Sequence, residues 1–376
     1  MDYSIHDANF LGNHYIRPMN FKAQFPLLAN CSYLNTASSG ILSASIMEWR
    51  KSHDEDFFQR GSSFRLEQQA FLNDVRAHVA RFFHNKVENT FLVQNLSIGF
   101  NIFLDGLSAD HTFLLAAGDY PSVNYPVESR GFNCDYALAD EHFEQNILAK
   151  IKSFNPSVLA ISLVQYASGI QIDLDFIKRI KASYPDLLII GDGTQFCGSG
   201  SFNFETSGLD VLISSGYKWM LAGYGNGFVL LKDQVVPHLY QKRTQYPLPT
   251  ENFLKDRSML SLCFEPGHLD TLNFGTLKQS LLFFESIGTD LIAQKLQALS
   301  QKAKKALTAR GLLTPAVAGR AQHSTIFNIP TSIELTKRLQ EANIIVSPRG
   351  DGLRLSFHIF NTEEDLEKLL TVLDQH

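Results

Sequence analysis

Between residues 110 and 232, short uninterrupted apolar runs alternate with segments in which apolar residues recur every three or four positions. The runs are typical of strands buried on both faces, and the periodic segments are typical of amphipathic helices. The predicted strands are residues 112–117, 158–164, 187–191, 211–214 and 228–231. This alternation predicts an α/β fold, with a mainly parallel sheet flanked by helices.

After about residue 280 the pattern changes to longer helical segments mixed with short strands. Helices are predicted over residues 277–287, 290–310 and near 331–341, and strands over 324–329, 344–346 and 353–357. A closing helix begins at Thr362, with acidic residues in its first turn that suit a helix N-terminus. We therefore expect a large domain over 31–285, a smaller α+β domain over 286–376, and an N-terminal segment, 1–30, that packs on the small domain.

Composition narrows the classes of partner. The 376 residues include 33 Lys and Arg against 38 Asp and Glu, a net charge of −5, so no strong field favours nucleic acid or a membrane surface. The four cysteines form no CxxC pair, and the first residues lack a basic start and an apolar run. These features predict a cytoplasmic protein with neither a disulfide framework nor a metal site.

Two residues at the ends of predicted strands suggest a cofactor. Lys218 lies just after the strand at 211–214, between Gly216 and a glycine-rich loop, and Asp192 ends the neighbouring apolar run as its last residue. Ligands of such sheets bind beyond the carboxyl ends of the strands. A desolvated lysine can hold the aldehyde of pyridoxal phosphate (PLP), and a carboxylate can keep its pyridine nitrogen protonated. Taken singly, however, such a lysine is usually a solvated surface residue, and such an aspartate is usually a cap or turn former.

The surrounding motifs resemble one family over nearly the whole chain. Residues 191–195 (Gly-Asp-Gly-Thr-Gln) and 215–218 (Ser-Gly-Tyr-Lys) resemble two elements of the class V aminotransferase family. This family belongs to the fold-type I PLP-dependent enzymes and includes cysteine desulfurases, selenocysteine lyases and isopenicillin N epimerase-like proteins. The resemblance implies the fold-type I architecture and PLP as the cofactor.

The same resemblance implies roles for four residues and shows one departure. Lys218 would be the Schiff-base lysine, Asp192 would contact the pyridine nitrogen, Gln195 the ring hydroxyl, and Ser215 the phosphate. Tyr217 replaces the histidine that usually precedes the lysine. A phenol can still hydrogen-bond a phosphate or a substrate, but it does not titrate near neutral pH.

Two upstream segments resemble further cofactor-binding elements. Residues 92–101 resemble the family's phosphate loop, which implies that Asn95, Leu96 and Ser97 present a helix N-terminus to the phosphate. Alone, Ser97 could equally be an ordinary N-cap. Tyr120 lies in a segment similar to the element whose aromatic ring stacks on the pyridine; alone, it would be read as a turn residue with a buried ring.

Segments near the two ends of the chain resemble the substrate-binding elements. Residues 349–362 resemble an Arg-x-Ser ending in which the arginine, here Arg354, grips the substrate α-carboxylate through a bidentate fork. The alternative is an arginine paired with a carboxylate at a domain seam. Residues 33–39 resemble the family's entrance segment, where Ala37 and Ser38 would leave space for substrate.

Residues 264–268 resemble an element that reaches the phosphate bound by the other subunit of a dimer. The resemblance implies a homodimer with shared active sites, with His268 where many relatives have threonine. The expected small-molecule partners are an amino acid and a 2-oxo acid.

The type of reaction is less closely specified. Desulfurases carry a cysteine on a loop upstream of the carboxylate-binding arginine, and residues 320–353 contain none, which argues against desulfurase activity. We expect an aminotransferase acting through an external aldimine, with a β-lyase, an epimerase or a non-catalytic PLP-binding dimer as alternatives. A nicotinamide oxidoreductase fits only the α/β pattern, because no predicted strand is followed by G-x-G-x-x-G.

Overall fold

The computed structural model describes residues 21–252, 254 and 257–375, so most of the N-terminal segment predicted at 1–30 lies outside the described residues. The strands are β1 (Ser32–Tyr33), β2 (Thr90–Val93), β3 (Thr112–Ala116), β4 (Asn133–Ala137), β5 (Val158–Ser162), β6 (Leu188–Asp192), β7 (Val211–Ser215), β8 (Gly227–Leu231), β9 (Ile326–Pro330), β10 (Ile344–Ile345), β11 (Ser347–Arg349) and β12 (Gly352–Ser356).

The α-helices are α1 (Phe21–Gln24), α2 (Ala44–Arg60), α3 (Gln68–Phe83), α4 (Leu96–Gly106), α5 (Pro121–Glu128), α6 (Phe143–Phe154), α7 (Leu174–Ser183), α8 (Met259–Phe264), α9 (Thr271–Ile287), α10 (Thr289–Ala309), α11 (Pro315–Ala318), α12 (Ile333–Glu341) and α13 (Glu363–Leu373). Short 3-10 helices lie at Pro26–Ala29, Gly61–Glu67, Val87–Asn89, Val236–His238 and Gln241–Gln245.

The large sheet confirms the predicted α/β architecture. Its seven strands run in the order β2-β8-β7-β6-β5-β3-β4, and β8 is the strand antiparallel to both of its neighbours. The other adjacent pairs are parallel. Strands β5, β7 and β8 are buried along their whole length, as their continuous apolar sequences predict for strands covered by helices on both faces.

The parallel register places the predicted site residues along one edge of this sheet. Asp192 is the last residue of β6 and pairs with Ile213 of β7, two residues before that strand ends at Ser215. Since the parallel strands point the same way, the loops that follow β3, β5, β6 and β7 meet at this edge. These loops carry Tyr120, Gln195 and Lys218.

The C-terminal part forms a three-stranded antiparallel sheet in the order β11-β12-β9. Along β12, Leu353 and Leu355 pack in the hydrophobic core, so the alternating residues Arg354 and Ser356 point to the other face. A bridge between Asn35 and Ser356 joins the N-terminal entrance segment to this sheet. Strand β1 also pairs in parallel with β10. The residues just before the entrance segment are therefore held against the C-terminal part of the chain.

Helix boundaries differ slightly from the sequence prediction, for a local reason. Helix α9 begins at Thr271, six residues before the predicted start, because the Asp270 carboxylate caps it by accepting from the Asn273 amide at 2.9 Å. The closing helix begins after Thr362, as predicted, and the Thr362 amide donates to the Asp365 carboxylate at 3.0 Å. Among the described helices, none combines the length and the apolar character that a membrane crossing demands.

Candidate active site

Lys218 is held in a buried loop directly after β7. Its side chain is 6% exposed, and its ammonium lies 5.5 Å from the centroid of the Tyr120 ring and 5.4 Å from that of the Tyr217 ring. The loop needs glycine at position 216, because a Cβ there would overlap the side-chain oxygen of Asn226. Asn226 in turn donates to the Ala222 carbonyl at 2.9 Å, which fixes the loop. The lysine is therefore presented from a rigid turn against two aromatic rings.

The electrostatics of the lysine and of Asp192 are coupled. Burial lowers the pKa of Lys218 to about 8; the Asp192 carboxylate opposes this change, whereas the charges of Arg354 and Arg349 reinforce it. Burial also raises the pKa of Asp192 to about 6. The hydrogen bond that its carboxylate accepts from the Thr194 amide at 2.7 Å opposes this rise, because it stabilises the charged form. At pH 7, about a tenth of Lys218 is thus a neutral amine, a far larger share than for a lysine in water.

Gln195 connects the aspartate motif with the entrance segment. Its side-chain amide donates to the Ala37 carbonyl at 2.9 Å, and its oxygen accepts from the Trp219 indole at 2.7 Å. The Ala37 amide donates to the Ser356 hydroxyl at 2.9 Å. Ser38 follows in a turn, where its amide donates to the Asn35 carbonyl. Ala37 therefore lies beside Gln195, and Ser38 follows it in the same turn.

The predicted phosphate site lies at the start of α4. The Asn95 side chain caps this helix by accepting from the Ile98 amide at 2.9 Å, so Asn95 and not Ser97 is the N-cap. The Leu96 amide donates to the Ser215 hydroxyl at 2.8 Å, which joins two predicted phosphate ligands. Neither the amide nor the hydroxyl of Ser97 has a hydrogen-bond partner within the described part of the chain. The helix start thus offers free donors beside Ser215.

Arg354 is a buried cation whose hydrogen-bonding capacity is only partly used. It is 1% exposed, and its Nη1 donates to the Tyr166 carbonyl at 2.7 Å. Its Nε and Nη2 are buried without partners among residues 21–252, 254 and 257–375, and no carboxylate in those ranges pairs with it. Burial lowers its pKa to about 10. The described residues therefore do not form the ion pair at a domain seam that was the alternative role for Arg354.

Tyr166 connects Arg354 with the lysine. Its ring meets the Tyr120 ring edge-on, with centroids 5.4 Å apart, while its carbonyl holds Arg354. Tyr217 stacks on Tyr224 with centroids 4.8 Å apart, and burial raises the pKa of Tyr217 to about 12. The Tyr217 hydroxyl is thus a neutral proton donor at physiological pH, as its sequence position predicted.

His268 is the one predicted site residue that lies apart from this group. The Arg65 guanidinium donates a hydrogen bond to the His268 ring nitrogen Nε2 at 2.9 Å. His268 also lines a cavity of about 850 Å³ together with Glu265 and Arg76. Neither Lys218 nor Asp192 lines that cavity. Within this chain, His268 makes no contact with the lysine site, and its expected role toward a second subunit stays a prediction.

Sequence interpretation missed three residues of the site: Tyr166, Trp219 and Arg349. Tyr166 acts through its backbone carbonyl, which carries no sequence signal. Trp219 directly follows the lysine, but its bond to Gln195 depends on the meeting of two loops. Arg349 could have been found, because it lies two turn residues before β12 and alternation then places it on the same face as Arg354.

Known proteins resemble this chain over most of its length. The family model for class-V aminotransferases matches residues 44–369. A probable cysteine desulfurase of Ureaplasma parvum is 22% identical, over 95% of this chain and 97% of that protein. An uncharacterized aminotransferase of Bacillus subtilis is 20% identical, over 93% of this chain and 95% of that protein. Among solved structures, the apo cysteine desulfurase of Thermococcus onnurineus superposes with a TM-score of 0.80 at 17% identity, over 95% of this chain and 97% of that one.

Proposed function

The chain belongs to the class-V aminotransferase family, whose cofactor is pyridoxal phosphate, and we propose that it is a PLP-dependent aminotransferase acting on amino acids. The observation that carries the proposal is that the Lys218 amine, whose pKa is lowered to about 8, and the Asp192 carboxyl group are both buried and that the charge of each acts on the other. A lysine of this kind is an unusually good nucleophile toward an aldehyde near neutral pH.

The donors and acceptors of the site fit the cofactor. Lys218 would hold the aldehyde, and Asp192 would contact the pyridine nitrogen. The free amide and hydroxyl of Ser97, beside Ser215 at the start of α4, suit a phosphate dianion. Tyr120, whose ring already lies under the Lys218 ammonium, would cover the pyridine ring. When bound, PLP supplies an aldehyde for the substrate amine and a ring that accepts the electron pair released at the α-carbon.

The chain's own residues would bind the substrate and move its proton. Arg354 has two buried N–H donors, Nε and Nη2, that no described residue uses, and a carboxylate can accept from both. The Lys218 amine would accept the α-proton of the bound substrate, because its lowered pKa of about 8 leaves about half of it neutral at pH 8. Burial raises the pKa of Tyr217 to about 12, so its hydroxyl stays protonated throughout this range, and its ring centroid lies 5.4 Å from the Lys218 ammonium.

The positions of the thiols favour transamination over persulfide chemistry. Cys197 is buried, and burial raises its pKa to about 12, so it is neither a ready nucleophile nor mobile. Burial likewise raises the pKa of Cys31, Cys134 and Cys263, none of which contacts Lys218. A desulfurase needs a reactive thiolate at the substrate, which this arrangement does not supply.

We extend the proposal to a homodimer in which His268 reaches the cofactor phosphate of the second subunit. Its position on a large cavity with Arg65 and Arg76, away from Lys218 of its own chain, supports this assignment. Sedimentation or light scattering would test the dimer, and His268→Ala should then weaken PLP retention without loss of the fold.

The decisive experiment loads the purified protein with PLP, reduces it with borohydride and maps the added mass. We expect the mass at Lys218 in the wild type and in a Lys295→Ala control, and no such mass in Lys218→Ala. A panel of amino acids then identifies the reaction. Conversion of the cofactor to its amine form with release of a 2-oxo acid supports an aminotransferase. Release of pyruvate or sulfide with the cofactor still in its aldehyde form would reassign the chain to a lyase, and racemised substrate would reassign it to an epimerase. Covalent attachment of PLP without turnover of any amino acid would show that the chain binds PLP but does not catalyse a reaction.

A further inference from the structure

The antiparallel pairing of β11 with β12 places two arginines on one face of the small sheet. Ser347 pairs with Arg354, and Arg349 pairs with Gly352 across the turn. Residues 352 and 354 share a face because side chains alternate along a strand, so Arg349 and Arg354 are diagonal neighbours on that face. Diagonal neighbours lie about 7–8 Å apart, within reach of long side chains.

Neither Arg349 nor Arg354 forms an ion pair with a carboxylate of the described residues. Arg349 is half-buried, and the hydrogen bond of its guanidinium goes to the Pro348 carbonyl at 3.1 Å, with no carboxylate within 4.0 Å among the described residues. Arg354 keeps two buried donors free, as described above. The Ser347 hydroxyl, directly across the strand pair from Arg354, is also buried without a partner in the part of the chain that the structure describes. This face therefore offers more donors and more positive charge than one carboxylate can use.

The face looks toward the reacting lysine. Ser356, two residues beyond Arg354 on the same strand, accepts from Ala37 of the entrance segment. Arg354 itself is held by Tyr166, whose ring contacts the Tyr120 ring over which Lys218 lies. The charges of both arginines act on Lys218, since each of them helps to lower its pKa.

We propose that the substrate carries a second anionic group: Arg354 binds the α-carboxylate of the amino acid and Arg349 binds an acidic group on its side chain. This substrate class, an amino acid with a side-chain carboxylate, deepens the proposed function and rests on it. A neutral side chain would leave the Arg349 cation unpaired beside the substrate, whereas a carboxylate gains a charge-assisted hydrogen bond. Because Arg349 is partly solvated, solvent screens this gain, and we expect a preference of about tenfold.

The test compares acidic amino acids with their neutral isosteres on the PLP-loaded protein. The rate of cofactor conversion is measured with aspartate against asparagine and with glutamate against glutamine. We expect kcat/KM to favour one of the acids by about tenfold in the wild type. Arg349→Gln should reduce that ratio to about one, and Arg349→Lys should retain part of it. Arg81→Gln removes an arginine charge from the surface pair with Glu285 and should leave the ratio unchanged.

A binding measurement separates recognition from turnover. Succinate and glutarate, as dicarboxylate probes, should bind the holoprotein about tenfold more tightly than butyrate by calorimetry, and Arg349→Gln should remove that difference. Equal use of acidic and neutral amino acids, or an Arg349→Gln variant that lowers all rates equally, would overturn the inference while the proposed function stands. Failure to attach PLP at Lys218 would instead overturn the proposed function itself.

Discussion

The indole nitrogen of Trp219 donates to the side-chain oxygen of Gln195 at 2.7 Å, and both residues are buried. Gln195 lies three residues after Asp192, and Trp219 lies one residue after Lys218. The bond therefore joins the loop that carries the acid to the loop that carries the amine. Because the same Gln195 amide also holds Ala37, one side chain fixes the spacing of three loops around the site.

Trp219→Phe tests this connection. Phenylalanine keeps a ring on the stack with His358 but leaves the Gln195 oxygen buried without its donor, which we expect to cost about 1–3 kcal/mol in the free energy of unfolding. Urea denaturation followed by circular dichroism measures the change. Trp49→Phe is the matched control, because Trp49 is only half-buried and its indole nitrogen has no hydrogen bond among the described residues. Equal losses in the two variants would contradict the role given to the bond.

Arg354→Met separates stability from substrate binding. The buried guanidinium has two unused donors, so replacing it with an apolar side chain of similar length should leave the unfolding free energy unchanged or raise it by about 1–2 kcal/mol. The same change removes the charge-assisted bonds to a carboxylate and should lower kcat/KM by about 100-fold. Thermal unfolding and steady-state kinetics on one preparation measure both effects. A loss of several kcal/mol in stability would mean that Arg354 is structural.

Glu265→Gln tests the buried acid beside His268. The Glu265 carboxylate is 1% exposed and accepts from Arg76 at 2.6 Å and from the Leu92 amide at 2.8 Å, with Arg257 at 3.6 Å. Glutamine keeps the shape but leaves two arginines without their carboxylate, which should cost about 3–5 kcal/mol. Chemical denaturation measures the loss.

The control for that change is Glu67→Gln. Glu67 pairs with Arg60 at 2.6 Å, but its side chain is 71% exposed, so solvent screens the pair and the loss should stay below about 1 kcal/mol. Similar losses at the two positions would show that burial does not set the strength of the Glu265 interactions.

The pH dependence of Lys218 reactivity tests the charge balance of the site. Only the neutral amine reacts with formaldehyde, and the lowered pKa of about 8 means that reductive methylation of the PLP-free protein should rise with pH up to about 8 and then level off. A lysine in an unstructured model peptide should continue to gain reactivity up to a pKa near 10.4. Peptide mass spectrometry gives the rate at each site.

Asp192→Asn, measured by the same reductive methylation, tests whether the Asp192 carboxylate acts on Lys218. The Asp192 carboxylate raises the pKa of Lys218 against the effect of burial, so its removal should shift the Lys218 profile to lower pH. A shift to higher pH, or no shift, would show that the two groups do not interact as the structure places them.

Strands and their ends could be predicted because their signal is local. Each predicted strand of the large sheet coincides with an observed strand to within two residues at either end, since continuous apolar runs between helices leave few alternatives. Asp192 was expected at the end of its strand and is the last residue of β6, whereas α9 begins six residues before its predicted start. Element boundaries depend on hydrogen bonds that sequence patterns report only approximately.

The amino-acid sequence by itself determined which chemical groups the candidate site would hold: an acid and an amine, at 192 and 218, where two strands of the large sheet end, and a guanidinium at 354 in the C-terminal part. Only the tertiary structure decided how those groups behave. The lowered pKa of Lys218 and the two unused donors of Arg354 arise from burial among segments far apart in the chain. Burial is a property of packed elements, and no local pattern encodes its extent.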